Sequence, residues 1–236
     1  MLWTAQNLMG TYHSLEAEQA AASARAEAQK HLSEKVKDQE MLGSSTSYHS
    51  QEAYQKWQSA LNEYERLKKE QERVRQELLL LTGFSPDSPV VLEKMPLPDV
   101  SRAALVNPQE DRQQALGNNY ELRSGRMGNA GSNQELHKKQ RQTELDENQM
   151  FASLETLGDQ IRSCQTEWEA ACAKEQAQRA VWQSAVRKRE LGTMAEGEYL
   201  EIYSQYMEEK GNQAQASIRF LLAMEEYDWA KKGLMD

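Results

Sequence analysis

The residues best equipped for chemistry are few, and their spacing does not suit it. His13, His31, His49 and His137 are scattered along the chain. No His-Glu-x-x-His or similar pair sets two imidazoles on one helix face for a metal, so all four read as surface residues. Cys164 and Cys172 stand eight apart on one helical pattern, which cannot bring them together as a disulfide, and no CxxC metal pair exists. Gly125-x-x-Gly128-x-x-Gly131 has neither a preceding strand nor a Lys-Ser/Thr, and reads as a loop rather than a phosphate cradle. No Ser-His-Asp or Cys-His set has any sequence context. These patterns point away from an enzyme and imply no cofactor and no metal. Glu196, Glu198 and Glu201 stand at a helix start, where negative charge complements the macrodipole. Glu198 and Glu201 are three apart and share a helix face. The five tryptophans fall mostly on apolar seams and read as packing anchors.

The elements that carry these residues are long helices, and they come twice. Leu42-Gly43 ends one helical pattern, and Leu191-Gly192 ends another 149 residues later. At the same offset Met1 falls on Met150, Leu8 on Leu157, Ala22 on Ala171, Tyr54 on Tyr203 and Trp57 on Tyr206. Gly83 and Gly233 are 150 apart, so the second copy has one extra residue. This is the signature of an internally duplicated helical hairpin. Ala53, Ala60, Leu67, Val74 and Leu81 repeat every seven residues, with Trp57, Tyr64, Gln71 and Leu78 four after the first four. Such a pattern is a coiled-coil seam. Met150, Leu157, Cys164 and Ala171, with Leu154, Ile161 and Trp168, make a similar seam. So do Tyr199, Tyr206, Phe220 and Tyr227 in the last stretch. Helices are expected over about 2–41, from Ser47 or Ser50 to about 81, over 133–190 and over 195–232. All five prolines lie between Pro86 and Pro108 and exclude helix from about 84 to 100. Asn107-Pro108 then opens a short helix. The expected organisation is all-α, with two long antiparallel coiled-coil hairpins at 1–82 and 133–236. An irregular Pro/Gly-rich linker, 83–132, joins them.

Charge and hydropathy narrow the partners. The net charge is −9, and no stretch concentrates basic residues, which argues against nucleic acid. No run approaches the ~18 apolar residues that a membrane-spanning helix needs. The N-terminal residues have no basic segment followed by an apolar one, so this chain carries no export signal.

Three segments resemble one family. Lys188-Arg-Glu-Leu-Gly-Thr-Met-Ala-Glu-Gly-Glu-Tyr-Leu-Glu201 is similar to a hairpin tip of the outer-membrane efflux factor (TolC) family. The ending Ala223-Met-Glu-Glu-Tyr-Asp-Trp-Ala-Lys-Lys-Gly233 resembles versions found in Gram-positive anaerobes. Leu80-Leu81-Thr82-Gly83-Phe84, the prolines and Asp111-x-x-x-Ala115-Leu116-x-Asn118-Asn119 resemble the link between that family's two repeats. Members have an export signal and a further helix before the first hairpin, so the resemblance marks this chain as N-terminally truncated. Members also insert β-strands that build a barrel through the lipid. Here the residues between Gly131 and Met150 are polar and helical, so no transmembrane β-barrel is expected.

The resemblance implies an efflux component in the cell envelope, part of an α-helical conduit. Its partners would be a membrane-fusion adaptor and an inner-membrane pump, and the complete protein would be a homotrimer. By position, Leu42, Gly43, Leu191, Gly192 and Thr193 would dock the adaptor, and Glu198 and Glu201 would form an acidic ring at the tunnel mouth. Two other readings stay open: a coiled-coil scaffold of the envelope without transport activity, and a secreted helical-hairpin effector. The effector reading calls for a Trp-x-Gly turn, whereas both turns here are Leu-Gly.

Overall fold

A computed structural model describes residues 2–127 and 131–234. It is all-α, and no strand forms among the described residues. The helices are α1 (Leu2–Met41), α2 (Ser47–Leu81), α3 (Val100–Ala104), α4 (Pro108–Asn118), α5 (Tyr120–Met127), α6 (Asn133–Glu190) and α7 (Glu196–Lys231). α1 packs on α2, and α6 packs on α7, as two hairpins. No described helix is long and apolar enough to cross a membrane. The expected Asn107–Pro108 start is present, with the Asn107 side chain accepting from Gln109 N. α2 starts at Ser47, one of the two expected positions. Thr46, rather than a serine, is the cap, and its hydroxyl accepts from His49 N. Two short helices also form where none was expected. Asp99 caps α3 through Ser101 N and Arg102 N, and α5 continues through Gly125. Gly128, part of the glycine-punctuated loop read from the sequence, lies outside the described residues.

The chain divides into two compact units. The first comprises Met1–Pro96 and Trp168–Ile218. On α2 the buried residues Ala53, Leu67, Val74 and Leu78 lie on the heptad seam, and Leu79 is buried beside it. α1 has two working faces. Ala22 lines a groove shared with Ala60 and Ser59 of α2. Ala17 and Ala21 face Gly211 of α7, where an added Cβ would come within 3.3 Å of the Ala17 carbonyl oxygen. A glycine there brings the two backbones close, which an alanine-rich helix also favours. Arg25 pairs with Glu208 at 2.9 Å, and Gln215 donates to Glu18 at 3.0 Å, so α1 and α7 run antiparallel. Trp182 of α6 stacks on Tyr206 of α7 with centroids 4.7 Å apart. Glu175 is buried on the same seven-residue row as Trp182, its carboxylate held by Arg179 at 2.7 Å. Burying a carboxylate without such a partner would be costly.

The second unit comprises Leu97–Glu167 and Arg219–Asp236. Its core has larger side chains: Leu154 and Ile161 of α6, and Phe220, Leu221, Met224 and Tyr227 of α7. The linker helices are fastened to α7 by polar contacts. Arg102 of α3 donates to Glu225 at 3.0 Å and also pairs with Asp228. Asp111 of α4 accepts from the Tyr227 hydroxyl at 2.8 Å and pairs with Lys231 at 2.5 Å. Burial, and then the bond to Asp111, push the Tyr227 phenol well above the ordinary tyrosine range. The raised value means that folding favours the protonated phenol. That contribution is complete below the unfolded-chain value of about 10 and is lost as pH rises past it. Alkaline titration followed by circular dichroism is therefore expected to show stability falling above about pH 10. Tyr227→Phe should make that decline shallower. An unchanged slope would show that the phenol does not titrate differently on folding.

Candidate functional site

Five of the site residues named from the sequence, Leu42, Gly43, Leu191, Gly192 and Thr193, lie in the two turns, 42–46 and 191–195, one in each hairpin. In both turns the glycine adopts positive φ, +74° at Gly43 and +69° at Gly192. The same pair of capping bonds closes each helix. Gly43 N donates to Glu40 O and Ser44 N to Gln39 O, at 2.9 and 2.8 Å. Gly192 N donates to Arg189 O and Thr193 N to Lys188 O, both at 2.9 Å. This is the Schellman arrangement, in which the residue after the helix must accept a left-handed conformation. Gly83 and Gly233 end α2 and α7 in the same way.

Carbonyls at both helix ends find partners inside the turns. Gln39 O accepts from Ser44 N, from Ser45 N and from the Ser44 hydroxyl. Lys188 O accepts from Thr193 N and from the Thr193 hydroxyl at 3.0 Å. Capping bonds thus close the last turn of each helix, and the tips expose side-chain surface. Leu42 and Leu191 are 83% and 76% exposed, which is unusual for leucine at both ends of a repeated pattern. Gly43 and Gly192 are exposed, and a Cβ on either would meet nothing within 4 Å. Thr193 is exposed and doubles as a cap. Ser44 plays the same part in the first turn, and sequence reasoning passed over it. The available signal was a hydroxyl residue directly after both Leu-Gly pairs.

Glu198 and Glu201 both stand exposed on the first turns of α7. Neither is joined to the residues of the turn itself by any contact among the described residues. The carboxylate that does bind across the turn is Glu196, which takes Arg189 at 2.7 Å. The Arg189 guanidinium also lies 4.2 Å over the Tyr199 ring. This clasp holds the end of α6 to the start of α7, and sequence reasoning missed it because the partners come from two elements. Basic residues Arg187, Lys188 and Arg189 crowd the last turn of α6, where they complement the helix dipole.

The histidines need one correction. His13 is 8% exposed, not a surface residue, and its ring bridges two acceptors. His31 is half-buried against Gly197. Cys164 and Cys172 are free thiols, and no acidic, histidine or cysteine cluster suited to a metal occurs among the described residues.

Long helices folded as two hairpins with glycine-capped turns define an all-α class of fold. Solved structures that share it include outer-membrane channels. CusC, a protein whose structures describe transmembrane channel formation, superposes with a TM-score of 0.67 at 12% identity, over 98% of this chain and 79% of CusC. The outer-membrane channel OprN gives 0.55 at 14% identity, over 99% of this chain and 66% of OprN. The outer membrane protein VceC from Vibrio cholerae gives 0.56 at 11% identity, over 98% of this chain and 69% of VceC. At these identities the likeness is one of fold: the chain has the helical fold of TolC-family channels. No protein-family model and no curated protein matches the sequence.

Proposed function

We propose that this chain is a wall segment of an α-helical efflux conduit in the bacterial cell envelope, docking a membrane-fusion adaptor through its two hairpin tips. One observation carries the reading. Both tips present the same capped, solvent-open turn crowned by an exposed leucine, Leu42 and Leu191, on a fold shared with CusC along 98% of the chain. Exposed leucines on a capped turn favour a protein partner, because covering them removes apolar area from water at about 25 cal/mol per Å². In this reading the hairpins 1–82 and 133–236 are repeated wall elements joined by the linker 83–132. Three copies of the full-length protein enclose the tunnel, an inner-membrane pump stands behind the adaptor, and no cofactor takes part.

Glu198 and Glu201 would line the tunnel mouth, where threefold repetition concentrates negative charge and attracts cations. The test uses the full-length protein in a planar bilayer. Glu198→Gln with Glu201→Gln is expected to lower cation preference and to leave the fold intact, since both side chains are exposed. Cysteines at positions 42 and 191 are expected to cross-link to the adaptor. Unchanged ion preference removes the acidic ring. Absence of cross-links together with normal export removes tip docking and leaves the envelope-scaffold reading.

A further inference from the structure

The linker residues 84–96 run as a strap along the first hairpin, and two polar side chains of that hairpin bind its backbone. Arg75 of α2 donates to three strap carbonyls: Ser88 O at 2.7 Å, Val90 O at 3.3 Å and Pro86 O at 3.5 Å. The other pin is His13 of α1. Its Nε2 lies 2.8 Å from Glu93 O, and its Nδ1 lies 2.9 Å from Glu16 Oε2. A backbone carbonyl can only accept, so Nε2 must carry a proton. An ionised carboxylate can only accept as well, so Nδ1 must carry one too. Glu16 is half exposed to water, whereas His13 is buried. The two contacts are satisfied together only by the imidazolium. In the neutral ring, the Nδ1 lone pair would face the Glu16 oxygen.

We propose that His13 is a proton-operated pin: the imidazolium, held between Glu16 and the Glu93 carbonyl, locks the strap 84–96 onto the first hairpin, and deprotonation loosens it. The bond to Glu93 is charge-assisted in the locked state, and such bonds are roughly twice as strong as neutral ones. The charged groups around the ring come from each element packed there. α1 supplies Glu16 and the Tyr12 phenol, whose ring stands edge-on at 5.1 Å. α2 supplies Arg75 and Glu72, which pair with each other at 3.5 Å. The strap presents a backbone carbonyl, and α7 meets this part of α1 through the neutral Gln215. Glu16 is thus the one carboxylate in direct contact with the ring among the described residues. The sign follows from the proton count: the lock is favoured at low pH and lost as pH rises through the imidazole range, about 6.5 for free histidine.

The experiment places a nitroxide on Val91→Cys, an exposed strap position, in a full chain carrying Cys164→Ser and Cys172→Ser. Spin-label mobility is followed from about pH 8 down to about pH 5.5, which stays above the ordinary glutamate range of about 4.3. The immobilised-to-mobile ratio is expected to rise about fivefold on acidification, with a one-proton midpoint. The ¹⁵N resonances of the His13 ring should move at that same midpoint. His13→Gln should abolish the pH dependence. Glu16→Gln, which keeps the ring buried, should shift the midpoint to lower pH and serves as the test if His13→Gln does not fold. A His13 ring that remains neutral down to pH 5.5 overturns the proposal. So does pH-dependent mobility that survives His13→Gln, or a midpoint indifferent to Glu16→Gln.

Discussion

Phe220→Ala is expected to destabilise the chain by about 3–5 kcal/mol, the largest stability effect of any single truncation considered. Phe220 is fully buried, at 0% exposure, among the large side chains of the second unit. Removing its ring forfeits transfer free energy and leaves a cavity that long, continuous helices cannot easily close. For a chain of this size each kcal/mol moves the melting temperature by about 2–4 °C, so the midpoint should fall by roughly 6–20 °C. Thermal and urea melts followed by circular dichroism measure it. Leu42→Ala is the matched control: Leu42 is 83% exposed, and its truncation should stay within about 0.5 kcal/mol. A Phe220→Ala loss below about 1 kcal/mol would mean that α7 is not packed at this level.

That contrast also shows what could be read from the pattern of residues alone. Heptad spacing named Leu154, Ile161, Phe220 and Tyr227, and all four are buried. The same spacing marks only one face of α7, and this helix is buried on more than one. Ser204, Gly211 and Ile218 form a second row at seven-residue intervals, all buried, with Leu221 and Met224 beside it. Periodicity arguments weigh apolar side chains, so a row that begins with serine and glycine reads as surface. In a close-packed interface such residues are contacts because they are small. Glu175 was hidden for the opposite reason. Its charge argues for solvent, and only the Arg179 partner one turn on explains its burial.

Turn chemistry was legible because it is local. A glycine after the last periodic residue predicts a left-handed cap from sequence neighbours alone, and all four such glycines have positive φ. The pins that depend on distant segments were not. His13 lies 80 residues from Glu93, Arg102 lies 123 from Glu225, and Asp111 lies 116 from Tyr227. Nothing in the residues near His13 distinguishes it from His49, which is exposed. The tip residues fall between these cases. Their geometry follows from the sequence, but the docking role proposed for them depends on a surface outside the chain. Exposed Leu42 and Leu191 favour a partner without identifying it.

Gly192→Trp in the full-length protein is expected to abolish adaptor binding and export while leaving the hairpin folded. The argument separates two costs. Any side chain at φ +69° carries left-handed strain, about 1–2 kcal/mol for a non-glycine residue. Gly192→Ala and Gly192→Trp share that cost. An added Cβ at this position meets nothing within 4 Å beyond its chain neighbours, so both side chains start into open space. The two variants should therefore lose similar stability, and the Arg189–Glu196 clasp should still join α6 to α7. What differs is the shape offered to a partner. An indole projecting beside Leu191 occupies the space that an adaptor hairpin would need. Adaptor affinity measured by surface plasmon resonance should fall at least about tenfold for Gly192→Trp and far less for Gly192→Ala, where tenfold corresponds to about 1.4 kcal/mol. Equal losses in both variants would assign the effect to the strained turn instead of to docking. Full binding and export in both would mean that the second tip does not touch the adaptor. The exposed leucine at each turn would then need another occupant, and the conduit reading would rest on the fold alone.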